Sequence, residues 1–102
     1  MTRKLTRKWY SLIGGCVPYS QQACEYAADR HGLRKGGKGY EFASIDFSTK
    51  GCYGYKSGSY AGIAFYGIGG LMNEMKAPFT SDDADGPYRL SGDDCEMGTI
   101  YG

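Results

Sequence analysis

Four cysteines, at positions 16, 24, 52 and 95 of a 102-residue chain, constrain the fold more than anything else in the sequence. An even number of cysteines in so short a chain reads as a disulfide framework or as buried thiols. They are separated by 7, 27 and 42 intervening residues, and no C-x-x-C pair occurs. The single histidine, His31, has no matching ligand pair near it. Those spacings disfavour structural zinc and vicinal-dithiol redox catalysis. Length points the same way: a chain this size makes one domain with a thin core, for which a covalent brace is useful.

Hydrophobic periodicity places the cysteines. Gln21 to His31 reads as the main helix, with Ser20 as N-cap and Gly32 as C-terminal stop. Cys24, Ala27, Ala28 and His31 share one stripe of it. Residues 34–39, three of them glycine, read as a turn-rich connector. From Tyr40 the period becomes two. Tyr40 to Phe47 reads as a strand with Ala43, Ile45 and Phe47 on one face. Cys52 to Tyr55 and Tyr60 to Tyr66 read as a hairpin around Lys56-Ser57-Gly58-Ser59. Pairing Tyr55 with Tyr60 puts Cys52, Gly54, Ala61, Ile63 and Phe65 on an inner face. Tyr53, Tyr55, Tyr60, Ala64 and Tyr66 then form the outer face. Leu71 to Ala77 suits one short helical turn before Pro78.

The expected fold class is therefore α+β: one main helix on a small antiparallel three-stranded sheet, disulfide-braced, with an irregular C-terminal tail. A Cys24–Cys52 bridge follows from the helix face meeting the inner sheet face. Cys16–Cys95 would then tie the N-terminal segment to the tail, the alternative being an unpaired thiol at either position. The whole chain, 1–102, is read as a single domain. Residues 1–15 form a basic N-terminal arm or helix, 16–77 the α+β core and 78–102 an acidic, loop-rich tail. Leu5, Trp9, Leu12 and Ile13 fall on one helical stripe of the arm.

Charge is polarised along the chain. Residues 1–38 carry eight Lys/Arg against Glu25 and Asp29, and residues 39–102 carry four against nine Asp/Glu. The two halves neutralising each other on folding is the plainer reading, and a basic arm seeking an acidic partner is the other. A sequence pI of about 7.6 argues against nucleic acid as partner. No window approaches the length of a membrane-spanning apolar run. The start lacks the continuous apolar stretch of a secretory signal. Disulfides would nonetheless place the chain in an oxidising compartment, extracellular or an organelle lumen.

Four blocks form an ordered series: Cys24-Glu-Tyr-Ala-Ala-Asp-Arg-His-Gly-Leu33, Gly36-Gly-Lys-Gly-Tyr-Glu-Phe-Ala43, Thr49-Lys-Gly-Cys-Tyr-Gly-Tyr-Lys-Ser-Gly-Ser-Tyr60 and Ala64-Phe-Tyr-Gly-Ile-Gly-Gly70. The series resembles a small, uncharacterised cysteine-containing domain of diatoms and other marine microalgae. It covers residues 20–70, and Thr49-Lys-Gly-Cys-Tyr53 is its most specific part. The helix and strand cysteines recur together in that pattern, which adds to the Cys24–Cys52 expectation. A helix-to-strand cysteine bridge is also loosely similar to apple-type and WSC-type extracellular binding modules, an analogy of architecture that transfers no site.

Catalytic chemistry is hard to find. The stretch from Gly32 to Gly39 approaches a phosphate-binding loop, but Gly39 stands where Ser/Thr should hold magnesium, and the stretch leaves a helix. Asp83, Asp85 and Gly86 fit three positions of a calcium loop, but Gly92 stands where a bidentate Glu is required. His31 at a helix end reads as a capping or packing group. No enzymatic activity, cofactor or metal is expected. The positive feature is tyrosine, 10 of the 15 aromatic residues. Tyr pairs broad apolar area with a polar tip and loses little entropy on binding. Tyr53, Tyr55, Tyr60 and Tyr66 are the candidate binding residues, unless another segment such as the Trp9 stripe covers them. The expected function is a non-enzymatic structural or adhesive module that binds protein or glycan, self-association included. The alternative is a small accessory subunit of a large assembly, such as an extracellular fibre or an algal photosynthetic complex.

Overall fold

The structure, a computed structural model, describes residues 16–79, 84–92 and 95. The expected arm or helix at 1–15, with Leu5 and Trp9, lies outside the described residues, as does Ser81–Asp83 of the acidic loop. One main helix, α1 (Gln21–Arg30), packs on a five-stranded mixed sheet. The strands are β1 (Arg34–Lys35), β2 (Ala43–Ser44), β3 (Gly51–Tyr55), β4 (Ile63–Gly67) and β5 (Pro87–Arg89), with a one-turn helix α2 (Met72–Met75) before β5.

The main helix begins and ends where its sequence dictates. The Ser20 hydroxyl accepts from the Ala23 N–H at 3.1 Å, satisfying one orphan donor of the first turn. At the other end the Gly32 N–H bonds the Asp29 carbonyl and the Leu33 N–H bonds that of Ala28. That 6→1 and 5→2 pair is a Schellman closure, which needs a left-handed residue. Gly32 supplies it at φ +71°. Ala23, Cys24, Ala27 and Ala28 are each at most 1% exposed. Their small side chains bring the helix close enough for Cys24 and Cys52 to be joined, with Cα atoms 5.5 Å apart.

The α+β class holds, but the sheet is larger than expected and not purely antiparallel. The order is β1-β4-β3-β5, with β2 also on β4. Strand β3 runs antiparallel to β4 and to β5, whereas β1 and β2 run parallel to β4. The two parallel strands occupy one edge of β4 in succession. Arg34 and Gly36 donate to the Gly62 and Ala64 carbonyls, and further along Tyr66 and Ile68 donate to Phe42 and Ser44. They act as one strand interrupted at residues 37–41. The strand expected over 40–47 survives only at Ala43–Ser44. The Ser44 hydroxyl accepts from the Asp46 N–H at 3.0 Å and turns the chain away, leaving Ile45 68% exposed.

The C-terminal tail is not wholly irregular. Pro87 opens β5 on the sheet edge, where its missing N–H costs no ladder bond. Cys16 and Gly92 exchange backbone hydrogen bonds, and Cys16 is bonded to Cys95. The other disulfide is Cys24–Cys52. Arg89 locks β5 in place: Nε donates to the Ala77 carbonyl at 2.7 Å, Nη1 to Lys50 at 2.6 Å and Nη2 to Glu74 at 2.8 Å. Its guanidinium lies over the Phe79 ring, 4.7 Å from the centroid. Among the described residues, no helix is long and apolar enough to cross a membrane.

Candidate functional site: an aromatic groove on the sheet face

The two faces of the sheet carry different chemistry because side chains alternate along each strand. On the helix side lie Cys52, Ala64 and Tyr66 with Cys24, Ala27, Ala28, Met75 and Leu90. Gly54 belongs to this side too, since a Cβ there would meet Leu33 Cδ1 at 2.6 Å. On the other side lie Tyr53, Ile63 and Phe65, joined by Phe47, Tyr55, Tyr60 and Phe79.

This division corrects half of the expected register. Cys52 pairs with Tyr66 and Tyr53 with Phe65, three residues away from the expected Cys52–Ile63 pairing. An odd slip exchanges the faces of one strand against the other. Tyr66 is therefore removed from the binding set. It is 6% exposed, beneath the helix, and its hydroxyl donates to the Tyr19 carbonyl at 3.0 Å. Ile63 and Phe65 take the opposite side from the one expected. The slip arises in the loop. Gly62, at φ +81°, closes a turn in which its N–H bonds the Tyr55 carbonyl. Residues 60–62 are thus consumed by the turn rather than by β4.

Tyr53, Tyr55 and Tyr60 are brought together as expected, with Tyr60 folded back from the loop so that its ring centroid lies 5.2 Å from that of Tyr55. Sequence reasoning missed Tyr40, which completes the wall. The turn-rich connector closes in one tight turn. Gly37 and Tyr40 exchange backbone hydrogen bonds around Lys38 (φ +58°) and Gly39 (φ +86°). Positive φ at both central positions is the type I′ signature, whose twist matches paired strands. The turn delivers Tyr40 over the sheet, its ring 6.0 Å from Tyr60, 6.5 Å from Phe47 and 6.5 Å from Phe65. The Lys-Gly pair in Gly-Gly-Lys-Gly was the available signal.

The result is an open groove of about 180 Å³ lined by Tyr40, Phe47, Ser48, Thr49, Tyr53, Tyr55, Tyr60 and Phe65. Phe65 and Tyr53 form a buried floor, 4% and 5% exposed, and Tyr40 is an outer wall at 53%. Most ring pairs meet edge to face, including Phe47–Phe65 at 85° and Tyr60–Phe65 at 86°, the arrangement that aromatic quadrupoles favour.

No lining residue is charged, and the phenols are held neutral. Burial pushes Tyr53 well above the ordinary phenol value, aided by Tyr55 and opposed by Arg89. Burial also raises Tyr55, followed by the influence of Tyr60. Tyr60 is raised first by the neighbouring Tyr40 hydroxyl. The two lysines next to lining residues in sequence are turned elsewhere. Lys56 caps the Tyr88 ring at 4.9 Å, and Lys50 Nζ donates to the Ile45 and Ile68 carbonyls.

The other sequence candidates sit apart. His31 Nε2 lies 3.0 Å from the Ser91 carbonyl. Since a carbonyl can only accept, Nε2 carries the proton, and the ring pins the end of β5. No His/Cys/Asp/Glu cluster able to hold a metal occurs among the described residues. Comparison of the chain with family models, with curated proteins and with solved structures gives no match.

Proposed function

We propose that the protein is a non-enzymatic interaction module that binds protein or glycan through the aromatic groove on the sheet face away from α1. The observation that carries this reading is the groove itself, a buried Tyr53–Phe65 floor ringed by partly exposed Tyr and Phe side chains. Such rings offer large apolar area with few rotamers to freeze. Two disulfides suit an oxidising compartment, and an extracellular or lumenal location goes with this reading. The resemblance of residues 20–70 to the microalgal domain remains part of the same proposal.

Tyr53 is a poor probe, because its ring supports the floor. Tyr40 and Tyr60 are better ones. A Tyr40→Ala/Tyr60→Ala double variant, oxidised and checked by thermal unfolding, is compared with the parent chain on a peptide array and a glycan array. Ligands held by the parent and lost by the variant support the groove as the binding surface. Equal retention by both chains rejects it. A second reading, an accessory subunit of a larger assembly, draws on Ile45, Leu71 and Met72, exposed by 68%, 69% and 43%. Wild-type docking by an Ile45→Ser/Leu71→Ser variant would rule that out.

A further inference from the structure

We infer that the occupant of the groove is a proline-bearing peptide segment in the polyproline II conformation, an inference that rests on the interaction reading above. Three properties of the groove select it. The first is charge. All eight lining residues are neutral. An anionic ligand would lose hydration there and meet no cation among the lining residues.

The second is size. A space of about 180 Å³ is close to the roughly 150 Å³ cavity that accepts one benzene. It is well short of the roughly 300 Å³ and upward typical of whole-ligand pockets. The groove therefore takes one ring-sized group at a time, the remainder of the ligand lying outside.

The third is the polar complement. Apart from backbone, the lining offers only hydroxyls, those of Ser48, Thr49 and the tyrosines. It holds no carboxylate, amide or guanidinium. A sugar ring carries hydroxyls around its perimeter, and each one left unpaired on burial costs about 1–3 kcal/mol. A pyrrolidine ring has no polar hydrogen to satisfy. Its aliphatic edge packs on aromatic faces, and the adjoining carbonyls accept from hydroxyl groups. The polyproline helix is extended and already ordered, with its backbone groups free of internal bonds, so little entropy is lost on docking.

The test is a titration of the oxidised full chain, followed by NMR, with acetyl-decaproline amide and in parallel with cellopentaose. The expected result is that decaproline shifts Tyr40, Phe47, Tyr55 and Tyr60 while cellopentaose does not. Tyr60→Ala should weaken the peptide about tenfold, the size of a central aromatic contact, with unfolding unchanged. Tyr26→Ala, on the exposed face of α1, should bind as the parent does. Cellopentaose moving those resonances in place of decaproline would overturn the peptide and leave the groove as a binding surface. Decaproline shifting only residues elsewhere, or none, would also overturn it. So would concentration-dependent shifts of the free chain at the same residues, which would make a second copy the occupant. Failure of the array comparison described above, by contrast, removes the groove itself.

Discussion

Arg89 is the residue on which most separate segments depend. Its guanidinium bonds carbonyls at Lys50, Glu74 and Ala77 and has an aromatic face beneath it, with no carboxylate among these partners. Burial lowers its pKa, the cost of enclosing a cation. Replacing it by Met would remove the guanidinium donor from all three carbonyls, with Glu74 keeping only a backbone partner. Arg89→Met should destabilise by about 3 kcal/mol in urea unfolding. Arg89→Lys should recover little, because an ammonium cannot span three directions in one plane. The tyrosines make a pH prediction at the same scale. Burial raises Tyr53, Tyr55, Tyr66 and Tyr88 in the folded chain, whereas an unfolded phenol ionises near pH 10. Above about pH 10 the unfolded chain has released protons that the folded chain keeps, so stability falls as pH rises. Below about pH 9 the contribution is fully present. Denaturant unfolding at successive pH values, with phenolate absorbance as a second probe, should show a plateau followed by an alkaline decline.

At the level of elements, the Lys38–Gly39 turn links sequence to site most directly. Gly39 sits at φ +86°, and Lys38 already bears the strain of a non-glycine residue at φ +58°. Gly39→Val should cost about 1–2 kcal/mol and pull Tyr40 from the groove. The measurable sign is loss of ring-current shifts between Tyr40 and Phe65 in the NMR spectrum. Much of the element plan was legible in the chain. Ser20, the Ala27-Ala28 stripe and Gly32 define α1 through local bonds, and local bonds are what a sequence window contains. Cys52 and Tyr53 were assigned to the correct sides for the same reason. The register of β4 was not legible, because it depends on how many residues the loop absorbs. Gly58 fits a four-residue hairpin as well as the longer turn closed by Gly62. One parity error there sent Tyr66 and Phe65 to the wrong faces. β1 and β5 were hidden further still, and β2 is only a remnant of the strand expected over 40–47. They are two or three residues long and exist because β4 and β3 offer them an edge, a tertiary cause that no period of two can signal.

At the scale of the whole molecule, two covalent links organise a body whose core is thin. Cys24–Cys52 joins helix to sheet across 28 positions, a loop worth about 3–4 kcal/mol in the chain-entropy model. A Cys24→Ala/Cys52→Ala variant should lose stability of that order in urea. The aromatic side should respond only indirectly, since neither cysteine faces it. Cys16–Cys95 behaves differently, because it encloses nearly everything described: its partners are 79 positions apart in the chain and 6.0 Å apart at Cα. Tension applied to the chain on the outer sides of those two cysteines would run through the sulfur–sulfur bond and bypass the sheet and helix. In a single-molecule stretching experiment the oxidised protein should show no unfolding step. A reductant should release 79 residues of slack, roughly 260–285 Å of added contour. A groove inside such a loop would keep its shape under tension applied beyond the two cysteines.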